Sequence, residues 1–203
     1  MQPFVHLHVH SQYSVLDGQA SVKALVDKAI ANGMRGIALT DHGNMFGIKE
    51  LTDYVNKKNK DVDGEIKNLK KTIEELKSAD AVDQEALSKA ETALKEAESK
   101  IFTPIIGCEM YVADNDMTDR SNKKDIGRHL IVLAKNQHGY HNLIKLVSNA
   151  WTDGYYYHPR TDKKQLEKYH EDLIVCSACL GGEVPKLITA GHIEEAEKSI
   201  LWF

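Results

Sequence analysis

An α/β fold of the β/α-barrel kind is predicted by three observations. Short apolar, strand-like runs alternate along the chain with runs of helical period. Polar, ligand-rich clusters stand directly after strand-like runs, where parallel sheets gather their functional residues. Outside one charge-rich stretch, residues 57–100, the chain keeps 203 − 44 = 159 residues, most of a β/α barrel but short of the ~250 that a complete one takes.

The elements follow in order. Residues 4–9 alternate, with Val5, Leu7 and Val9 on one face and imidazoles on the other, which predicts a strand. Val22, Leu25, Val26, Ala29 and Ile30 form the apolar face of a first helix, capped by Ser21 and stopped at Gly33. Residues 36–40 (GIALT) read as a buried strand. The stretch 57–100 has no His, Cys, aromatic or Pro and carries 10 lysines against 11 acids. In it Ile66, Leu69, Ile73 and Leu76, then Leu87, Ala90, Leu94, Ala97 and Ile101, recur at 3-4 spacing around a polar break at 78–83. This predicts an inserted antiparallel helical hairpin whose second helix is capped by Asp83. It reads as a surface insertion without chemistry, with a docking arm for a partner as the alternative. Strands are expected again at 105–112, 129–134 and 173–177, and a helix is marked by Leu143, Ile144, Val147, Ala150 and Trp151. The aromatic-basic run 155–160 reads as loop packing, with stacking of a single strand as the alternative. Lys163 and Lys164 read as solvated helix residues. Ile193, Ala196 and Ile200 stripe a last helix within 192–203, and the final strands of a barrel are expected to be missing.

Composition narrows the function. With 26 Lys+Arg against 30 Asp+Glu the formal net charge is −4, which excludes a strongly basic nucleic-acid clamp. No window approaches the ~18 to 20 apolar residues of a membrane span, and the N-terminus lacks a secretory layout. A cytoplasmic protein with no membrane partner is expected. Cys108, Cys176 and Cys179 are too few and unevenly spaced for a disulfide framework and read as core residues or ligands. The 10 histidines are unusual.

His6, His8 and His10 stand at period 2, so one strand face would present three imidazoles, and clustered neutral imidazoles suit a transition metal. Asp17, before Gly18, taken alone is an ordinary turn residue. Asp41 and His42 follow GIALT directly; Asp41 is placed to accept the distal N–H of the His42 ring, or alternatively to cap the next helix. Glu109 is a carboxylate inside an apolar strand and so predicts a cationic or donor partner, while Cys108 points the other way and packs. His129 opens its strand as either a ligand or a strand-end residue. Cys179 stands beyond the strand 173–177, where a thiolate could complete a metal site; a redox pair with Cys176 has no thioredoxin-type context.

The strings HLHVHSQYSVLDG (6–18), LTDHGNMFG (39–47), PIIGCEMYV (104–112), HLIVLAKNQHGYHNLIKL (129–146) and CLGGEVP (179–185) resemble the N-terminal PHP (polymerase and histidinol phosphatase) domain of bacterial DNA polymerase III alpha subunits. The resemblance covers nearly the whole chain outside the hairpin. It implies a distorted TIM-like barrel of seven β/α units, here incomplete at its C-terminal end, with up to three divalent metals (Zn, Mn or Fe). Position by position, the family's ligands fall on His8, His10, Asp17, His42, Glu109, His129 and Cys179, with His6 and Asp41 beside them; two further family ligands, an Asp and a His, lie beyond Phe203. The activity implied is metal-dependent phosphodiester hydrolysis, in this branch 3′-5′ exonuclease proofreading of a single-stranded DNA 3′ end, with His8, His10, Asp17 and His42 acting through the metals. The implied partners are DNA, the rest of the polymerase chain and replisome proofreading or clamp subunits. A non-catalytic scaffold within the polymerase and a free-standing phosphatase are the competing readings.

Overall fold

The computed structural model describes residues 4–79 and 83–203. Helix α1 (Val22–Ala31) begins where Ser21 Oγ accepts the Ala24 N–H at 3.2 Å, and it stops before Gly33, whose φ of 72° suits glycine. Strand β1 (Gly36–Leu39) follows, buried along its whole length. Helix α2 (Ile48–Ser78) is continuous from the core into the charge-rich stretch: Ile48, Leu51 and Val55 pack with Val22, Val26, Ile37 and Leu39. The compositional change near Lys57 therefore lies inside one helix, because the same helical period serves first the core and then the arm.

Helix α3 (Gln84–Lys100) is capped by Asp83, whose carboxylate accepts the N–H groups of Glu85 and Ala86. It runs back along α2, as the pairs Lys77–Glu91, Lys70–Glu98 and Lys100–Glu65 show. The part of the expected break that falls on 80–82 lies outside the described residues. The root of the hairpin is tied to the core by Asn59, whose side-chain amide donates to Phe102 O at 2.8 Å and accepts Phe102 N–H at 3.1 Å.

Strand β2 (Thr103–Val112) organises the sheet. Its first half pairs in parallel with β1, its second half antiparallel with β3 (Arg128–Ala134), and its last two residues in parallel with β5 (His158–Thr161). Strand β4 (Tyr155–Tyr156) forms a hairpin with β5, and β6 (Leu173–Cys176) runs antiparallel to β3. Helix α4 (Gln137–Thr152) covers one face through Leu143, Leu146 and Val147 against Cys108, Met110, Val112, Leu130 and Val132. Helices α5 (Lys163–Lys168), α6 (Glu183–Thr189) and α7 (Ile193–Trp202) complete the chain, and none of the described helices is long and apolar enough to cross a membrane.

Three expectations are corrected. The sheet is mixed, where alternating β/α units would make it parallel, because β2 and β3 are joined by a helix-free loop that returns the chain antiparallel, and it is not closed. Residues 4–10 run beside β1 with a bend at Leu7 and form no regular strand. Ala38 N–H bonds to His6 O and Thr40 N–H to Val9 O, so three steps on one chain oppose two on the other. That extra residue acts as a bulge and breaks the alternation. The run 155–160 is a hairpin instead of a loop, turned at Tyr157 with φ 59°.

Candidate metal centre

Glu109 is the centre of the arrangement. Alternation along β2 sends Cys108 and Met110 into the core under α4 and turns Glu109 to the other face, where its carboxylate is only 1% exposed. Burial alone would push this carboxyl up. The imidazoles of His10, His129, His42 and His8 outweigh that and hold it well below the usual carboxylate range. His8 Nε2 lies 2.7 Å and His10 Nε2 3.0 Å from Oε2, and the two ring nitrogens are 2.9 Å apart. On the other oxygen, Oε1, His129 Nδ1 is in contact and His42 Nδ1 is 3.6 Å away.

The backbone explains why these residues meet. The chain leaving β1 continues beside β2, so that His42 bridges directly to Glu109, Glu109 N–H donates to Asp41 O and Gly43 N–H donates to Glu109 O. His129, the second residue of β3, stands opposite Tyr111, on the same face as Glu109, and its N–H donates to Gly181 O. This brings the loop after β6 over the site and puts Cys179 Sγ 3.5 Å from His129 Nδ1, with Gly181 N–H donating to the sulfur. At the solvent side Asp17 Oδ2 is 2.9 Å from His42 Nε2; this contact holds the Asp17 carboxyl below its ordinary value, and the Asp17 side chain is 55% exposed. Glu109, joined by Asp17 and opposed by burial, pushes His42 up to about 9.

All seven residues expected as ligands thus lie in three overlapping groups: His8, His10 and Glu109; His10, Asp17 and His42; Glu109, His129 and Cys179. The other two expected neighbours behave differently. Asp41, 1% exposed, does not touch the His42 ring: its carboxylate accepts Ser11 N–H at 2.6 Å, Ser11 O–H at 2.8 Å and Ser14 O–H at 2.7 Å. His6 lies outside the cluster, edge-on to Phe4 at 4.8 Å, because the bulge turns it away from His8 and His10. Cys108 is fully buried, which pushes its thiol up and leaves it a packing residue. Cys176 is a free thiol on β6.

Sequence reasoning missed Ser14. Because its proton goes to Asp41, its oxygen accepts, taking His10 Nδ1–H at 3.2 Å and His42 N–H at 3.2 Å. This contact holds the His10 ring through Nδ1 and turns Nε2 toward the cluster, where it would be free to ligate a cation. The i, i+4 spacing from His10 to Ser14 was the available signal. Tyr111 and His158 were missed as well. Tyr111 stacks on His158 at 4.4 Å and stands edge-on to His129 at 5.2 Å; burial beside Glu109 pushes its phenol up to about 12. Burial, then His129 and His42, push His158 down.

The donor set suits divalent cations, since the imidazole nitrogens, carboxylate oxygens and, in one group, the thiol sulfur lie close enough within each group to share one ion. His42 Nδ1 and Glu109 Oε1 are buried with no hydrogen bond of good geometry among the described residues. Neutral imidazole, carboxylate and thiolate together suit zinc, manganese or iron. Ser14→Ala is expected to weaken metal affinity about 10- to 100-fold while leaving the fold intact, measured by competition with a chelating dye.

Comparison with known proteins places this geometry in context. The family model described as PHP domain matches residues 6–203. The DNA polymerase III subunit alpha of Borreliella burgdorferi is 42% identical over 98% of this chain, and that of Treponema pallidum 41% over 96%. The chain spans 14% and 13% of the length of those two relatives. A solved structure assigned as a metal-dependent phosphoesterase from Bifidobacterium adolescentis aligns with a TM-score of 0.36 at 17% identity, over 74% of this chain and 34% of that one. A likeness that low carries no weight here.

Proposed function

The chain belongs to the PHP domain family, and from that premise we propose that it is the metal-dependent phosphodiesterase module of a bacterial DNA polymerase III alpha subunit, trimming single-stranded DNA from its 3′ end. The observation that carries the reading is the convergence of seven ligand-type side chains on one buried carboxylate. Divalent cations at such a centre supply Lewis-acid polarisation of a phosphoryl oxygen and activation of water near neutral pH.

The chain's own residues divide the remaining work. His8, His10 and Glu109 would hold one cation, His10, Asp17 and His42 a second, and Glu109, His129 and Cys179 a third. Asp41, through Ser14, keeps His10 in the tautomer a cation requires. Asp17 and the exposed edge of His42 leave the centre open on one side, where a phosphodiester would enter, while Glu109 is shut away from water. The open sheet is read as part of a distorted seven-unit barrel, and the partners as DNA and the rest of the alpha chain, with proofreading or clamp subunits of the replisome beside it. The site of action is cytoplasmic.

The test is hydrolysis of a 5′-labelled single-stranded oligonucleotide by chelator-treated chain reconstituted with zinc, manganese or ferrous iron. A ladder shortening from the 3′ end, lost on chelation and restored by metal, is expected. No cleavage with any metal would leave a scaffold. Cleavage of a small phosphomonoester alone would make the domain a phosphatase.

A further inference from the structure

Three large aromatic side chains stand exposed in a row beside the metal centre, and nothing in the reading above uses them. Phe46, Trp151 and Tyr155 are 66%, 43% and 47% exposed. Trp151 and Tyr155 stack at 5.6 Å with planes 22° apart, and the Phe46 ring lies 6.4 Å from Trp151, tilted by 38°. Isolated exposed apolar residues are ordinary, but a contiguous aromatic patch marks a contact surface.

The row is fastened to the centre twice. Trp151 Nε1–H donates to Gly43 O at 2.7 Å, and Gly43 follows His42 directly. Tyr155 pairs with Pro159 across the β4–β5 hairpin, and Pro159 packs so closely on Gly43 that a Cβ there would meet its ring at 2.5 Å. The backbone carrying His42 is thus also the floor of the aromatic row. Phe46 closes the same loop, its N–H held by Asn44 Oδ1.

We propose that Phe46, Trp151 and Tyr155 form a stacking shelf for a nucleobase of the strand whose phosphodiester reaches the metal centre. The substrate class rests on the phosphodiesterase reading; the shelf itself rests on the geometry. The stacked planes of Trp151 and Tyr155, with the Phe46 ring beside them, favour a flat π-system over an aliphatic peptide segment, and stacking of this kind accepts any base. The continuity of the shelf with the His42 loop gives its occupant the same address as the reacting phosphate.

The chain has two tryptophans, so Trp202→Phe leaves Trp151 as the sole tryptophan, excited apart from the tyrosines at the red edge. The zinc-reconstituted W202F chain would be titrated with an octathymidylate of cleavage-resistant phosphorothioate linkages, and with an abasic octamer of the same backbone. Saturable quenching by the thymidylate is expected, with affinity about 5- to 100-fold above the abasic strand. A Phe46→Ala/Tyr155→Ala pair, which keeps the Trp151–Gly43 bond, should remove most of that preference. Equal affinity for both strands would overturn the shelf, and so would the absence of quenching, which would leave the aromatic row to an apolar protein partner. Base-dependent quenching without oligonucleotide hydrolysis would uphold the shelf and remove the nuclease, so the two proposals fail separately.

Discussion

Glu109→Gln is expected to lower metal affinity by more than about 100-fold, because two of the three ligand groups share this one carboxylate and Gln keeps its volume without its charge. Elemental analysis after gel filtration and dye competition would check it; retention of two or more metals per chain would refute the assembly described here. The pH behaviour follows from the same residue. In the metal-free protein His42 is pushed up to about 9 by Glu109 and Asp17, so at pH 7.5 it carries a proton that a metal must displace. Binding should release about one proton from this site, read as the buffer dependence of the calorimetric heat, and affinity should rise with pH up to about 9. The stability linkage has a definite sign. A raised His42 contributes stability that is complete below its unfolded value of 6.5 and is lost as pH rises through about 9. The depressed Glu109 contributes stability above its ordinary value of 4.5 that is lost as pH falls below it. Metal-free protein should therefore melt at lower temperature at pH 9.5 than at pH 7, and in E109Q that difference should largely vanish.

Arg160→Ala is expected to destabilise the chain by about 3–5 kcal/mol, a fall of about 10 °C in melting temperature. Arg160 is fully buried. Its guanidinium donates to the carbonyl oxygens of Asp125, Met117 and Asp119 at 2.9, 2.9 and 2.8 Å and lies 3.4 Å from the buried Asp125 carboxylate. Truncation would strand three acceptors and one carboxylate in the interior and free the loop between β2 and β3, which delivers His129 to the centre. Arg160→Lys should recover part of the loss, since a point charge reaches fewer of these acceptors. A melting shift under 3 °C would show that water replaces the guanidinium. The residue belonged, in sequence, to an aromatic-basic run that reads as loop packing, with strand stacking as the alternative; its burial makes it a structural tie. Lys163 and Lys164 are paired as well, with Glu183 at 2.8 Å and Asp116 at 3.3 Å.

Much was legible in the sequence because it depends on local rules. The helix at 22–31 with its serine cap and glycine stop, the hairpin stripe through Ile73 and Ala97, and the buried run at 36–39 follow from periodicity and capping, which act over a few residues. Of the seven ligand-type residues, His8, His10, His42, Glu109 and Cys179 carried a local signal, a carboxylate inside an apolar strand or polar ligand types at strand ends; Asp17 alone read as a turn residue and His129 stayed open, and the full set came from the family resemblance. The roles of Asp41 and Ser14 were not legible. Asp41 can reach either His42 or the 11–14 turn, and only the fold of that turn over β1 decides between them.

Sequence by itself determined the α/β class, the helical hairpin and a stock of ligand-type side chains, since each is written in patterns of a few residues or in composition. Tertiary structure alone decided that the sheet is mixed and open, that a bulge separates His6 from His8 and His10, and that Arg160 is buried while Trp151 is exposed. These depend on pairings between segments 30 to 100 residues apart, such as Val9 with Thr40 and His8 with Glu109. The energy of such contacts lies in register and burial, which no local pattern encodes.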